Sequence, residues 1–171
     1  MGLTRCFIID LVMILATKTN AVRLVEQAGI VCKEVFYAYD ENDLNGNHAA
    51  EAIGFPPEQV FKTLVARGQK TGINVFCIPV CFDLDLKKAA KAAGDKNMEL
   101  VAVKELLGLT GYIRGGCSPV GMKKAYPTFF DETAILHEVI AVSAGARGHQ
   151  MIVSPQELVT FVHGDYYDLI Q

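Results

Sequence analysis

The sequence lacks a large charge of either sign: its 171 residues carry a formal net charge of −3, with 20% charged residues. That excludes a protein whose whole surface attracts nucleic acid, while leaving room for a local basic patch. It also lacks a disulfide framework. The five cysteines, Cys6, Cys32, Cys77, Cys81 and Cys117, are odd in number and irregularly spaced, which predicts reduced thiols in a cytosolic protein. Histidines are few and scattered (His48, His137, His149, His163), with no HExxH and no clustered carboxylates, so no metal site is expected and no cofactor is implied. Neither a phosphate-binding P-loop nor a dinucleotide fingerprint is present. There is no internal repeat, linker or low-complexity tract.

Long apolar runs are also missing. The nearest approach, within residues 1–16, is interrupted by Asp10 and too short to span a bilayer. Thr17-Lys18-Thr19-Asn20 makes a poor cleavage site for a signal peptide. We expect residues 1–16 to be an N-terminal extension, with Met13 as the alternative initiator, and residues 17–171 to form one domain. No membrane partner is expected.

What is present is hydrophobic: 51% of the chain, enough for one sizeable core. Thr19 or Asn20 caps a helix to about Ala28, Asp83 or Asp85 one through Ala93, and Ser154 a last one with Pro155 in its first turn. A further helix over Val103–Leu107 is closed by Gly108, and a short one over His48–Ile53 by Gly54. Extended segments fall at Ile30–Tyr39, Val60–Ala66, Ile73–Val80, Asn97–Ala102, Pro127–Phe130, Leu136–Ser143 and Gln150–Val153. Arg67–Gly72 reads as a hairpin loop. The pattern predicts a mixed α/β (α+β) domain, its mostly antiparallel central sheet surrounded by helices, and not a doubly wound nucleotide fold.

Two local anomalies point to function. In Val60–Ala66 side chains alternate, so Val60, Lys62, Leu64 and Ala66 share one face and Lys62 lays its ammonium along an apolar surface. Either the stem snorkels to water or a ligand waits there. The second is Gly115-Gly116-Cys117-Ser118-Pro119-Val120-Gly121, a tight turn or a loop whose backbone N–H groups approach a ligand oxygen. Cys77 and Cys81, about 13 Å apart on one strand, cannot share an ion and are expected in the core. Cys117 has no nearby histidine pattern to activate it as a nucleophile. Lys87, Lys88, Lys91, Arg114, Lys123, Lys124 and Arg147 are either solvated or a phosphate-contacting rim.

Four stretches occur in order: Phe61-Lys62-Thr63-Leu64; Leu84-Asp85-Leu86-Lys87-Lys88-Ala89-Ala90-Lys91; Thr110 through Gly121; and Val142-Ser143-Ala144-Gly145-Ala146-Arg147-Gly148. Together, from about Lys18 to the C-terminus, they resemble the YbaK/EbsC family, which includes Cys-tRNA(Pro) deacylases and is similar to the editing domain of prolyl-tRNA synthetases. The resemblance implies hydrolysis of mischarged tRNA(Pro), with Lys62 as the key polar residue. It implies that Thr63, Tyr37, Ser118 and Ser143 line the substrate pocket and that the Gly115-Gly116 backbone positions the aminoacyl group. Arg114, Lys123, Lys124 and Arg147 are then candidate tRNA contacts, and a prolyl-tRNA synthetase a candidate partner. In Cys-specific members the substrate thiol attacks its own ester, so no protein nucleophile is needed. Some members carry phenylalanine where this chain has Asn45 and aspartate where it has Gln150, which keeps Ala-tRNA(Pro) or another small aminoacyl group open as the substrate. A non-catalytic module that binds an aminoacyl or nucleotide end is the rival from a different class.

Overall fold

The computed structural model describes residues 17–171; the expected extension at 1–16 lies outside the described residues. Helix α1 (Asn20–Gln27) starts where Thr19 Oγ1 accepts the Val22 N–H. It is followed by β1 (Lys33–Phe36), α2 (Gly46–Ile53), β2 (Phe61–Gly68), β3 (Gly72–Pro79), α3 (Leu86–Ala93), β4 (Met98–Leu100) and α4 (Val103–Thr110). Then come β5 (Thr128–Asp131), β6 (Ile140–Ala146), β7 (His149–Val153), α5 (Pro155–Phe161) and β8 (Asp165–Tyr167). Among the described residues no helix is long and apolar enough to cross a membrane.

The mixed, mostly antiparallel architecture holds, but the strands divide into two sheets. One has the order β4-β2-β3-β5-β8 and the other β1-β7-β6. Only β3–β5 and β5–β8 run parallel within them. A single parallel bridge, Val60 to Ala141, ties the sheets together. Ala141 in turn pairs with Ile152, so Val60, Ala141 and Ile152 form one row across three strands, buried with Ala50 of α2. Helix α3 covers the same face further along through Ala89 and Ala90 against Ala66, Phe76 and Ile78. The opposite face packs Phe61, Val65, Val142 and Met151 against α1 and α5.

Three local expectations need correction. Gly108 does not end its helix: α4 runs on to Thr110, and Gly111, at φ 85°, takes the left-handed stop position. Cys81 is exposed, not core, because β3 ends at Pro79 and the chain turns there; Cys77 is buried as expected. The segment before β6 is not extended throughout. Asp131 caps a 3₁₀ turn over Glu132–Leu136, accepting from Thr133, and the strand begins only at Ile140.

The β6–β7 turn fixes the wall of what becomes the site. Gly148 has φ +70°, its carbonyl accepts the Tyr37 N–H at 2.9 Å, and a Cβ there would stand 2.6 Å from the Tyr37 carbonyl oxygen. Gly148→Ala should therefore cost about 1–3 kcal/mol of stability, read as a lower Tm, because backbone must move in an already disfavoured conformation. A Tm equal to wild type would show that this contact does not constrain the wall.

Next to it His149 is buried, its Nε2 lies 2.8 Å from Glu34 Oε2, and Phe36 stacks on its ring at 4.1 Å. Burial holds the imidazole below its ordinary value of 6.5, outweighing the opposing pull of Glu34. The unfolded chain then takes up this proton first as pH falls. The contribution to stability is present above about pH 6.5 and is lost as pH drops through the folded value. Thermal denaturation from pH 7.5 to 5.5 should show a falling Tm, and His149→Gln should flatten that slope.

Candidate active site

Among the described residues the outer edge of β2 is covered in only two places. Val60 meets Ala141 at one end, and at the other β4 pairs with Ala66–Gly68 while the Val101 N–H reaches the Val65 carbonyl at 3.0 Å. Between them β2 and β6 carry no further pairing, and a cavity of about 1110 Å³ opens there. It is large enough for a drug-sized ligand. Its floor includes Phe61, Lys62, Thr63, Ser143 and Gln150; Leu100, Val103 and Leu106 form an apolar wall. The segment Tyr37–Gly46 and α2 close the other side.

Register places the polar floor. One step along from the Val60–Ala141–Ile152 row lie Lys62 on β2, Ser143 on β6 and Gln150 on β7, the last two a direct pair. Residues two apart share a face, so all three project to the side that α2 and α3 only partly cover. Lys62 is the cation of this row, with a side chain 29% exposed. Its Nζ lies 3.4 Å from the Val80 carbonyl oxygen and 3.8 Å from Asp83 Oδ1, long contacts that leave donor capacity for a ligand. The stem lies along apolar surface and the head stays partly exposed at the cavity, as the snorkelling reading expects.

The other expected residues divide. Tyr37, Thr63, Gly115 and Ser143 line the cavity with Lys62. Thr63 turns its hydroxyl to the opposite face, 3.7 Å from the Cys77 sulfur. Ser143 Oγ accepts the Gly145 N–H at 3.1 Å, inside the bulge between Ser143 and Ala146. Gly116 and Ser118 are not at the cavity. The Gly116 N–H donates to the Ile113 carbonyl at 3.0 Å, closing a turn whose third residue, Gly115, has φ +86°. Ser118 is fully buried and its Oγ accepts the Val120 N–H. The glycine loop is thus a tight turn that presents Gly115 and Cys117, but not Gly116 or Ser118, to the cavity.

Of the basic residues, Arg114 and Arg147 line the cavity. Arg147 is a clamp: its Nε donates to the Arg114 carbonyl at 2.9 Å and its Nη1 lies 3.7 Å from Glu41. Lys123 lies along α4, its Nζ 3.4 Å from the Gly108 carbonyl oxygen, and Lys124 is exposed away from the cavity. Lys88 pairs with Asp168 at 2.8 Å; like Lys87 and Lys91 it lies outside the cavity wall. Cys117 lines the cavity, but burial pushes its thiol up to about 12, so it stays protonated and unreactive near neutrality.

Sequence reasoning missed the lid side. Asp40, Asp43 and Glu51 bring charge to the rim, and His48 Nδ1 lies 2.9 Å from Asp43 Oδ2. Leu44 lies against Gly115, where a Cβ would approach it to 3.1 Å. Asn45 also lines the cavity, and its side chain accepts the Asn47 N–H and caps α2.

Residues 46–161 match the family of aminoacyl-tRNA editing domains. An Enterococcus faecalis (strain ATCC 700802 / V583) protein, provisionally named Cys-tRNA(Pro)/Cys-tRNA(Cys) deacylase EbsC, is 45% identical over 152 residues, covering 89% of this chain and 93% of that protein. The proline–tRNA ligase of Shouchella clausii (strain KSM-K16) is 28% identical over 106 residues, 62% of this chain but 18% of the ligase. A solved structure provisionally described as a trans-editing enzyme for prolyl-tRNA synthetase superposes with a TM-score of 0.75 at 25% identity, covering 91% of this chain and 99% of that one. With a family match over most of its length and a relative this similar end to end, the chain belongs to the aminoacyl-tRNA editing domain family.

Proposed function

We propose that this protein is a free-standing deacylase that clears cysteine from mischarged tRNA(Pro). The observation that carries the reading is Lys62, a cation with unused donors at the inner wall of a cavity that holds no activated thiol. The names of its relatives supply the substrate class.

In this reading the ester of the tRNA 3′ end enters beside Lys62, with Tyr37, Thr63, Gly115 and Ser143 around the aminoacyl group. The cysteine sulfur attacks its own ester carbon and the bond from that carbon to the ribose oxygen breaks. The thiol proton passes to the ribose oxygen. The tRNA leaves with a free hydroxyl, and the cysteine thiolactone is then opened by water to the amino acid. The ammonium of Lys62 stabilises negative charge developing on the carbonyl oxygen, and enclosure holds sulfur and ester together. Arg114 meets the phosphate backbone at the cavity mouth. A prolyl-tRNA synthetase, presenting the tRNA in the cytoplasm, is the partner this reading implies.

Deacylation of Cys-, Ala- and Pro-tRNA(Pro) by wild type and Lys62→Ala tests it. We expect cysteine release alone, reduced about 100-fold or more by the substitution, with Tm little changed because the ammonium is not packed in the core. Alanine release would make this an alanine-clearing enzyme. Release of neither would favour a binding module, and a Tm loss matching the activity loss would make Lys62 structural. In a separate titration, Arg114→Ala should lower the slope of log affinity against log salt by about one, and Lys124→Ala should leave it unchanged.

A further inference from the structure

Among the described residues one buried side-chain nitrogen or oxygen has no hydrogen-bond partner: Gln150 Oε1. The residue is 6% exposed and lines the cavity. Its backbone is held in β7 between Ser143 on one side and Val35 on the other. Ser143, the nearest hydroxyl in register, accepts the Gly145 N–H and makes no hydrogen bond to Gln150 Oε1. An enclosed acceptor left open costs free energy unless a ligand brings a donor.

An aminoacyl ester brings an α-ammonium and, for cysteine or serine, a neutral side-chain donor. A buried ammonium needs an anion, and Gln150 is neutral and in one row with the Lys62 cation. The carboxylates of the cavity, Asp40, Asp43 and Glu51, are exposed on the opposite, lid side. The neutral donor suits the neutral acceptor. Two strand spacings of about 4.8 Å set roughly 10 Å as the lower bound on the Lys62–Gln150 backbone separation, since β2 and β6 diverge past the Val60–Ala141 bridge, and both side chains line the cavity between them. An ester carbonyl at the ammonium therefore leaves the amino-acid side chain within reach of the carboxamide.

We propose that Gln150 Oε1 is the acceptor for the side-chain thiol or hydroxyl of the bound aminoacyl group, and so the residue by which the site separates cysteine and serine from alanine. This rests on the deacylase reading above. A site built around such an acceptor penalises the analogue that lacks the donor, because the acceptor is then sealed in without a partner. Gln150 takes no proton in this role; it orients the S–H bond.

The test uses acceptor-stem RNAs ending in 3′-amino-3′-deoxyadenosine acylated with cysteine, serine or alanine, whose amide link is not cleaved. Wild type should bind the cysteinyl and seryl RNAs about tenfold more tightly than the alanyl RNA. In Gln150→Met, close in shape but without the acceptor, that preference should vanish through weaker cysteinyl and seryl binding, with alanyl binding unchanged or tighter. The unliganded variant should keep or raise its Tm, since an unsatisfied buried group has been removed. Equal weakening of all three RNAs would overturn the proposal in favour of contact with the α-ammonium or ribose. An unchanged preference would overturn it outright. Either result would leave the deacylase reading standing, whereas no binding together with no deacylation by wild type would remove that reading and this one with it.

Discussion

The single backbone bridge between Val60 and Ala141 is the constraint on which the site depends. Were β2 and β6 to continue pairing, the two sheets would be one and Lys62 would lie on a closed surface. Because the ladder stops after one rung, the strands keep their common row order, yet the edge of β2 stays open until β4 covers it at Ala66. The apolar row Val60–Ala141–Ile152, packed under α2, holds the hinge of this wedge shut. The polar row beside it then faces a cavity and not a helix. Position and solvent access of Lys62 follow from one pairing that ends early.

Local features of this fold were legible where a residue acts on its immediate neighbours. Thr19, Asp85 and Ser154 each cap the helix that follows because a short polar side chain reaches an N–H two or three residues on. The β2–β3 hairpin followed from two apolar runs around a polar turn. Features set by distant contacts were not legible. Gly108 and Gly111 are equivalent as sequence signals, and only packing selects the second as the stop. Cys81 looked like strand because its neighbours are apolar, but Pro79 ends the ladder and exposes it. One sheet could not be told from two, since the distinction is a single rung.

The site divides in the same way. Lys62 stood out as a charge on an apolar face, and the glycine loop stood out by composition. Which loop residues reach the cavity depended on hydrogen bonds invisible in the sequence. Gly116 and Ser118 close turns, and Arg147 ties the glycine turn to Glu41 on the lid. The lid itself, with Leu44 over Gly115, is read from sequence only as a polar loop, because nothing in its spacing says where it folds.

A cavity of this size normally satisfies its own polar groups, and most of this one does. The hydroxyl oxygen of Ser143, the N–H of Gly116 and the guanidinium of Arg147 are engaged in holding loops. Two side chains in one row are the least engaged, beside a Ser143 hydroxyl that accepts but does not donate: a cation that contacts the protein only at long range, and a neutral carboxamide oxygen with no hydrogen-bond partner. Neither is a nucleophile, and the nearby thiol of Cys117 is held protonated by burial. Such a row can bind, orient and stabilise charge; it does not attack an ester. Any bond-making group must come from the substrate or from water. A thiol-bearing aminoacyl ester, which carries its own nucleophile, is the substrate that the proposed deacylase reading assigns to this geometry.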